Sequence, residues 1–307
     1  MILSASRRTD IPAFFSEWFF NRLRDGVIRT RNPFNYHQVN QIDLYPDDID
    51  CIVFWTKNAA PMLNKLDMLN EYTYYFQYTL TPYPKAYEPN LDDISHRIET
   101  FIKLSERIGK NHVIWRYDPI FISDDIDFAF HLRMFERTAQ ALSKYTFRCI
   151  ISFIDLYNTT QTNIRDLGIR EMDDTLNRSI ARELVPIANH YNIEMHTCAE
   201  RIDLEDLGIS HGRCIDDRVI SKLTNKSFDT FKDPNQREEC GCIKSFDIGV
   251  YNTCQNGCKY CYATKNHQIS LNNRCKHDPL SPFLIGNSAD GDQVRIKNKE
   301  NQTYLKF

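Results

Sequence analysis

Three cysteines, Cys254, Cys258 and Cys261, stand in the stretch NTCQNGCKYCYA with the spacing C-x3-C-x2-C. Thiols this close together suit metal ligation. A structural zinc ion draws four ligands, usually as two closely spaced pairs, and closes its shell. Here the local unit offers three, which would leave one corner of a [4Fe–4S] cube without a protein ligand. A zinc ion completed from elsewhere and unliganded thiols are the other readings of the same spacing. Cys240 and Cys242 lie just upstream in ECGC, Cys198 ends an apolar run, and Cys214 sits in HGRC. Those four make a candidate second site, suited to an auxiliary [4Fe–4S] cluster or to zinc, with buried structural cysteine as the alternative. Cys51 and Cys149 lie inside apolar runs and read as core. Cys275 has no assignment.

Other residues able to do chemistry fall at the ends of apolar runs. After ILSAS comes SRRTD, with Arg7, Arg8 and Asp10; after CIVFW comes TKN, with Lys57 and Asn58. HVIWRY runs into RYDP, with Arg116 and Asp118, and CIISFI into DLYN, with Asp155. IEMHTC carries His196 and is followed by Glu200. The arginines and Lys57 could hold a carboxylate or phosphate, or pair structurally with Asp10, Asp118 or Asp155. His196 and Glu200 could transfer protons.

The elements that must position these groups follow from the runs themselves. YYFQYTL and DIGVY join the five runs above to give seven near-continuous apolar segments, as parallel strands buried on both faces require. Helix-length segments at 13–25, 59–70, 92–109, 127–144 and 176–191 alternate with them; the third shows a 3.6-residue apolar period and is stopped by Gly109. Residues 27–44 read as an inserted hairpin turning at Asn32-Pro33. The expected fold is therefore α/β, a parallel (β/α) TIM-like barrel, partial or near-complete, over 1–235. A cysteine-rich iron–sulfur segment at 236–275 completes it, and a polar, irregular tail at 276–307 wraps it. Barrel active sites lie at the carboxy ends of the strands, so the polar strand ends would line one mouth.

Composition narrows the classes. The chain has 307 residues, 42% hydrophobic, with a formal net charge of −3, which gives no general attraction to nucleic acid or membrane. Six arginines against three acids over residues 7–31 are a weak hint of a phosphate-bearing ligand. Arg7 and Arg8 interrupt the apolar start, so no signal peptide is expected, and no apolar run is long enough to span a bilayer. Ten cysteines without these features suggest a reducing, cytoplasmic setting and metal ligation rather than disulfides. Ten glycines, with no Gly-rich phosphate loop, argue against a nucleotide cradle of that kind.

The cysteine spacing, with Tyr260 before the last cysteine and an apolar strand leading in, resembles that of the radical S-adenosylmethionine (SAM) enzymes. The resemblance implies a [4Fe–4S] cluster whose open iron chelates SAM through its amino and carboxylate groups. An electron from a donor such as flavodoxin or ferredoxin would then release methionine and a 5′-deoxyadenosyl radical, which takes hydrogen from a substrate. In those enzymes the motif follows the first barrel strand; here it follows the last, as a circular permutation would leave it. The stretches SASRRTDIPAF, RNPFN, FWTKN, YFQYTLT, WRYDPI, SFIDLY, TCAE, KDPNQREECGC and DIGVYNTCQNGCKYCYA together resemble a prokaryotic family, domain-of-unknown-function family 1848. The Gly-Gly-Glu element that often holds the SAM amino group is absent, which would pass that role to Asp10, with Asn58 and Tyr260 as further cofactor contacts. The function expected on this resemblance is SAM cleavage acting on an unknown small-molecule or phosphate-bearing substrate. The alternative is a non-catalytic iron–sulfur or zinc protein that binds nucleic acid or a protein partner.

Overall fold

The apolar runs form strands because their side chains find apolar partners on both sides of one sheet. The computed structural model describes residues 1–155, 158–228 and 231–297. Its strands are β1 (Ile2–Ala5), β2 (Val27–Asn32), β3 (Asn35–Asp43), β4 (Cys51–Thr56), β5 (Tyr74–Thr79), β6 (Val113–Ile120), β7 (Arg148–Phe153), β8 (Glu194–Cys198), β9 (Ser210–Gly212), β10 (Phe246–Asp247) and β11 (Gln293–Lys297). Eight of them form one sheet in the order β10-β1-β4-β5-β6-β7-β8-β9, every neighbouring pair parallel.

Side chains alternate across this sheet and divide its core in two. Leu3, Ile52, Phe54, Phe76, Trp115 and Ile151 face the main cluster, which also takes in Trp18 of α2 (Ser16–Asp25), Phe101 of α3 (Ile94–Ile108), Phe135 of α4 (Phe128–Leu142) and Leu184 of α6 (Asp174–His190). Ile2, Val53, Tyr75, Ile114 and Ile150 face the other way. They pack on Cys214, Ile215 and Ile220, the last in α7 (Asp217–Thr224), and on Cys240, Cys242 and Ile243. The segment between β9 and β10 thus fills the inner face of the sheet.

Several expectations are corrected. The ladders do not close: β9 and β10 are the two ends of the sheet, so the sheet is open rather than a closed barrel. β9 has three residues and β10 two, and the segment between them, which carries α7 and the isolated bridge of Lys232 and Ile243, packs on the inner face of the sheet instead of extending the ladder. DIGVY gives a strand at its first residue alone. The helix expected at 59–70 is a 3-10 segment, Ala60–Leu69, and that at 13–25 is divided at Phe15 into α1 (Ile11–Phe14) and α2. Two shorter helices complete the set, α5 (Asn158–Ile164) and α8 (His267–Arg274). The hairpin forms as expected, β2 antiparallel to β3, but the tail is not wholly irregular: β11 adds to β3 in parallel. Residues 298–307 of the tail, and Leu156 and Tyr157 of the DLYN loop, lie outside the described residues. Among the described residues no helix is long and apolar enough to cross a membrane.

One buried polar group in the helical layer is paired at both of its ring nitrogens. His131 on α4 is fully buried, with Nδ1 2.9 Å from the Tyr117 hydroxyl and Nε2 2.8 Å from the Phe121 carbonyl oxygen. Burial lowers its pKa to about 4, so the folded protein holds it neutral where the unfolded chain would already be protonated. Its contribution is present above the unfolded value of about 6.5 and is lost as pH falls through about 4. A His131→Gln variant should lose about 2–3 kcal/mol less stability than the parent between about pH 7.5 and about pH 4.5, measured by urea unfolding. Parallel pH profiles for the two proteins would disprove the assignment.

Candidate functional site

A cavity of about 460 Å³ opens at the carboxy ends of the parallel strands. The inner-face alternation delivers polar groups to it. Ile114 is followed two residues later by Arg116, and Arg116 by Asp118; Ile150 is followed by Ser152, and His196 by Cys198. Each apolar residue fills the inner core, and the next residue of the same face lines the cavity. Cys254, Cys258 and Cys261 line the same cavity.

The cysteine loop is held at nearly every turn. Asn252 N–H donates to the Ala263 carbonyl at 2.9 Å, closing the loop at its base. Gly257, between the first two cysteines, has φ +71°, and a Cβ there would lie 2.8 Å from Asn90 Nδ2. That same Asn90 amide donates to the Gln255 carbonyl at 2.8 Å. Ser270 of α8 donates to the Cys254 carbonyl at 2.7 Å, and Lys259 N–H to the Tyr87 carbonyl at 2.9 Å. Burial pushes the Cys254 thiol well up and the Cys258 thiol to about 12. Among the described residues no group of three or more His, Cys, Asp or Glu side chains is gathered so as to hold a metal ion. A cubane cluster binds its thiolates on separate corner irons, so its ligands must ring a cavity and need not meet at a point.

Asp10 ties this loop to two strand ends. Its carboxylate accepts from Ala13 N at 3.0 Å as the cap of α1, from Thr56 Oγ1 at 2.7 Å, from Lys57 N at 2.8 Å and from Asn256 Nδ2 at 3.1 Å. Burial nevertheless raises its pKa. Four donors engage both oxygens, so the geometry gives Asp10 a positioning role. Lys57 Nζ lies 2.7 Å from Glu88 Oε1, 3.0 Å from Thr81 Oγ1 and 3.1 Å from the Tyr260 hydroxyl. The Tyr260 hydroxyl also donates to Glu88. Burial opposes the Glu88 charge, but Lys57 and Arg97 outweigh it and lower the pKa.

On the first strand end, Arg7 and Arg8 approach Asp247 at 3.9 and 4.0 Å. Arg116 donates from Nε to Asp118 at 3.0 Å, and Ser152 donates to the other Asp118 oxygen. Asp155 pairs with Arg237 at 2.5 Å. Arg7, Arg8, Asp10, Lys57, Arg116, Asp118, Asp155 and Tyr260 all line the cavity. Three expected residues do not. Asn58 spends its side chain on Asp92 and on the Ala60 N–H; His196 lies deeper, 3.7 Å from Glu194; Glu200 accepts from Phe153 N at 2.9 Å. Burial raises Glu200 to about 7 and lowers His196 to about 4. Cys198, Cys214, Cys240 and Cys242 also reach the cavity, with the Cys198 and Cys214 sulfurs 2.9 Å apart.

Sequence reading missed Glu88, Asn256, Arg237 and Asp247. Glu88 is an isolated acid in a loop and carries no signal. Asp247 interrupts an apolar run, which is a signal that could have been used.

The family described as Domain of unknown function (DUF1848) matches residues 2–263. The chain belongs to that family. The match covers every cavity residue named above, including all seven cavity cysteines, and ends at Ala263 where the cysteine loop closes on Asn252. No curated protein matches the chain. No solved structure matches it.

Gly249 lets the cysteine loop leave the sheet: a Cβ there would lie 2.0 Å from Ser6 Oγ and 2.6 Å from Ser6 Cβ. Gly249→Ala should therefore cost about 1–3 kcal/mol through overpacking, read as a lower urea midpoint with an unchanged slope. An unchanged midpoint would show that the two segments are not pressed together.

Proposed function

We propose that this protein is a radical SAM-type iron–sulfur enzyme acting on a small charged substrate. The observation that carries the reading is that three cysteines, with no fourth ligand in their own loop, line a cavity at the ends of eight parallel strands. Strand order supports it. Read in space, the sheet begins with β10, the strand that feeds the cysteine loop, followed by β1 and β4. A (β/α) barrel that starts with its cysteine strand would have this order after circular permutation of the chain, as an open, partial barrel.

In this reading Cys254, Cys258 and Cys261 hold a [4Fe–4S] cluster, which when bound supplies an iron free to chelate SAM and the electron that cleaves its sulfonium. Asp10 fixes Asn256 between the ligands, and so holds the loop rather than the cofactor. Lys57, turned toward Tyr260 by Glu88, places a cation beside the loop. Arg7 and Arg8 offer guanidinium groups to a carboxylate or phosphate of SAM or substrate. Trp55, Phe153, Tyr260 and Tyr262 supply apolar walls that limit water. Tyr262 is 51% exposed, so an electron donor such as flavodoxin or ferredoxin could approach within a short distance of the loop.

Anaerobic reconstitution with iron and sulfide tests the reading. The reduced protein should show a [4Fe–4S] electron paramagnetic resonance signal that SAM alters, and should form 5′-deoxyadenosine and methionine. The Cys254/Cys258/Cys261→Ala variant, folded by circular dichroism, should lose the response of the signal to SAM and form neither product. A cluster indifferent to SAM and carrying a fourth protein ligand would overturn the enzyme reading in favour of a non-catalytic metal–sulfur protein.

A further inference from the structure

Four cysteines from three separate segments meet where the sheet lacks a ladder. Cys198 ends β8, Cys214 follows β9, and Cys240 and Cys242 lie on the segment that leads to β10. The Cys198 and Cys214 sulfurs are 2.9 Å apart, and the Cys242 thiol interacts with those of Cys214 and Cys240. Cys214, Cys240 and Cys242 are buried, and all four reach the cavity.

The surroundings are built for sulfur that carries charge. Arg116 Nη1 donates to Cys214 Sγ at 2.8 Å, and Ile215 N–H donates to Cys242 Sγ at 3.4 Å. Hydrogen bonds of this kind orient thiolate ligands and stabilise their charge. The Cys214 backbone is itself fixed from the sheet: its carbonyl accepts from the Tyr75 hydroxyl at 2.7 Å and from Gln77 Nε2 at 2.8 Å. The Tyr75 hydroxyl in turn accepts from Asp216 N–H at 3.2 Å. Four sulfurs with no water or oxygen ligand complete a tetrahedral shell.

We propose that Cys198, Cys214, Cys240 and Cys242 form a second metal site, a closed tetrathiolate that joins the β8–β9 edge of the sheet to the segment before β10. It takes over the cross-link that the short end strands do not make. The ligand class is a thiophilic centre with four thiolate ligands, either one zinc ion or one [4Fe–4S] cluster; in both the assembly carries a charge of about −2. The guanidinium of Arg116 lies against this charge, and that of Arg7 interacts with Cys214 and Cys242. As the side chains stand, no group of three or more such ligands among the described residues is placed to hold a metal ion, and the Cys198 and Cys214 sulfurs are too close to share one. Tetrahedral zinc at about 2.3 Å from each sulfur sets them about 3.8 Å apart, so Cys198 and Cys214 would part by roughly 1 Å. Because this shell is closed, it leaves no position for SAM or substrate, unlike the three-cysteine loop.

The test separates this site from the preceding reading by using the full chain without the three-cysteine loop's ligands. The Cys254/Cys258/Cys261→Ala variant, purified without oxygen and checked by circular dichroism, is loaded either with zinc alone or with iron and sulfide, then desalted. It should retain about one zinc per chain, or about four iron and four sulfide. Adding Cys240→Ser should reduce the retained metal at least tenfold. If the triple variant does not fold, Cys240→Ser and Cys254→Ser in the otherwise intact chain should each remove one site's metal and leave the other's. A folded triple variant that retains no metal under either loading, metal content insensitive to Cys240→Ser, or a Cys198–Cys214 disulfide in its place overturns the proposal. Loss of SAM cleavage with this metal retained would sink the preceding reading alone.

Discussion

The carboxylate of Asp247 holds the site together. β10 has only two residues and pairs with β1 through Leu3–Phe246 and Ser4–Asp247. So short a ladder cannot by itself fix the loop that follows. Asp247 supplies the difference by accepting from Ser4 Oγ at 2.8 Å, Ser6 Oγ at 2.5 Å, Arg7 N at 2.9 Å and Gly249 N at 3.0 Å. Hydrogen bonds to a charged acceptor are worth about 1.5–3 kcal/mol each, and leaving such a group buried without them costs more than any one of them gains. The same carboxylate therefore aims the first strand end, seats the glycine against Ser6 and starts the cysteine loop.

From that point the remaining groups are placed by alternation along the strands. A residue on the inner face is either part of the plug of apolar and cysteine side chains or, one step of two further on, part of the cavity wall. This is why Ile114 and Arg116, or Ile150 and Ser152, do such different work with the same orientation. Filling the interior with the segment between β9 and β10 keeps the sheet open and also carries Cys214, Cys240 and Cys242 to the floor of the site. The openness of the sheet and the gathering of cysteines have one cause.

Much of this was legible in the sequence because it depends on local pattern. Near-continuous apolar runs announced the parallel strands, Gly109 ended α3, and Asn32-Pro33 turned the hairpin. The polar strand ends pointed to one mouth, and most of them reach it. What was not legible depends on pairing across long sequence distances. Nothing near Asp10 says that Asn256 will donate to it from 246 residues away, nor near Lys57 that Glu88 will take its charge. The parallel addition of β11 to the hairpin was hidden because QVRIK is mostly exposed and lacks the apolar run of a buried strand. Asn58 stands outside the cavity lining for a local reason: its side chain is used within its own turn, as asparagine side chains at turns commonly are.

The cations around the cavity share one arrangement, and it bears on what the site can recognise. Arg7 and Arg8 lie by Asp247, Lys57 by Glu88, Arg116 by Asp118 and Arg237 by Asp155. Most of these partners come from a different segment of the chain, so each pair also fixes one strand end relative to another loop. Buried ion pairs add little net stability, because the cost of removing both charges from water offsets most of their attraction, and the exposed Arg237–Asp155 pair adds little because water screens it. Their value here is in position. A guanidinium or ammonium held by an anchored carboxylate has lost its rotamer freedom before any ligand arrives, so the entropic cost of ordering it at binding is small. Pairing also limits how strongly each cation attracts a stray anion. In the proposed reading, a ligand would have to engage two or more of these heads at once to compete with their carboxylates, which would favour a compact, multiply charged molecule over a single inorganic anion.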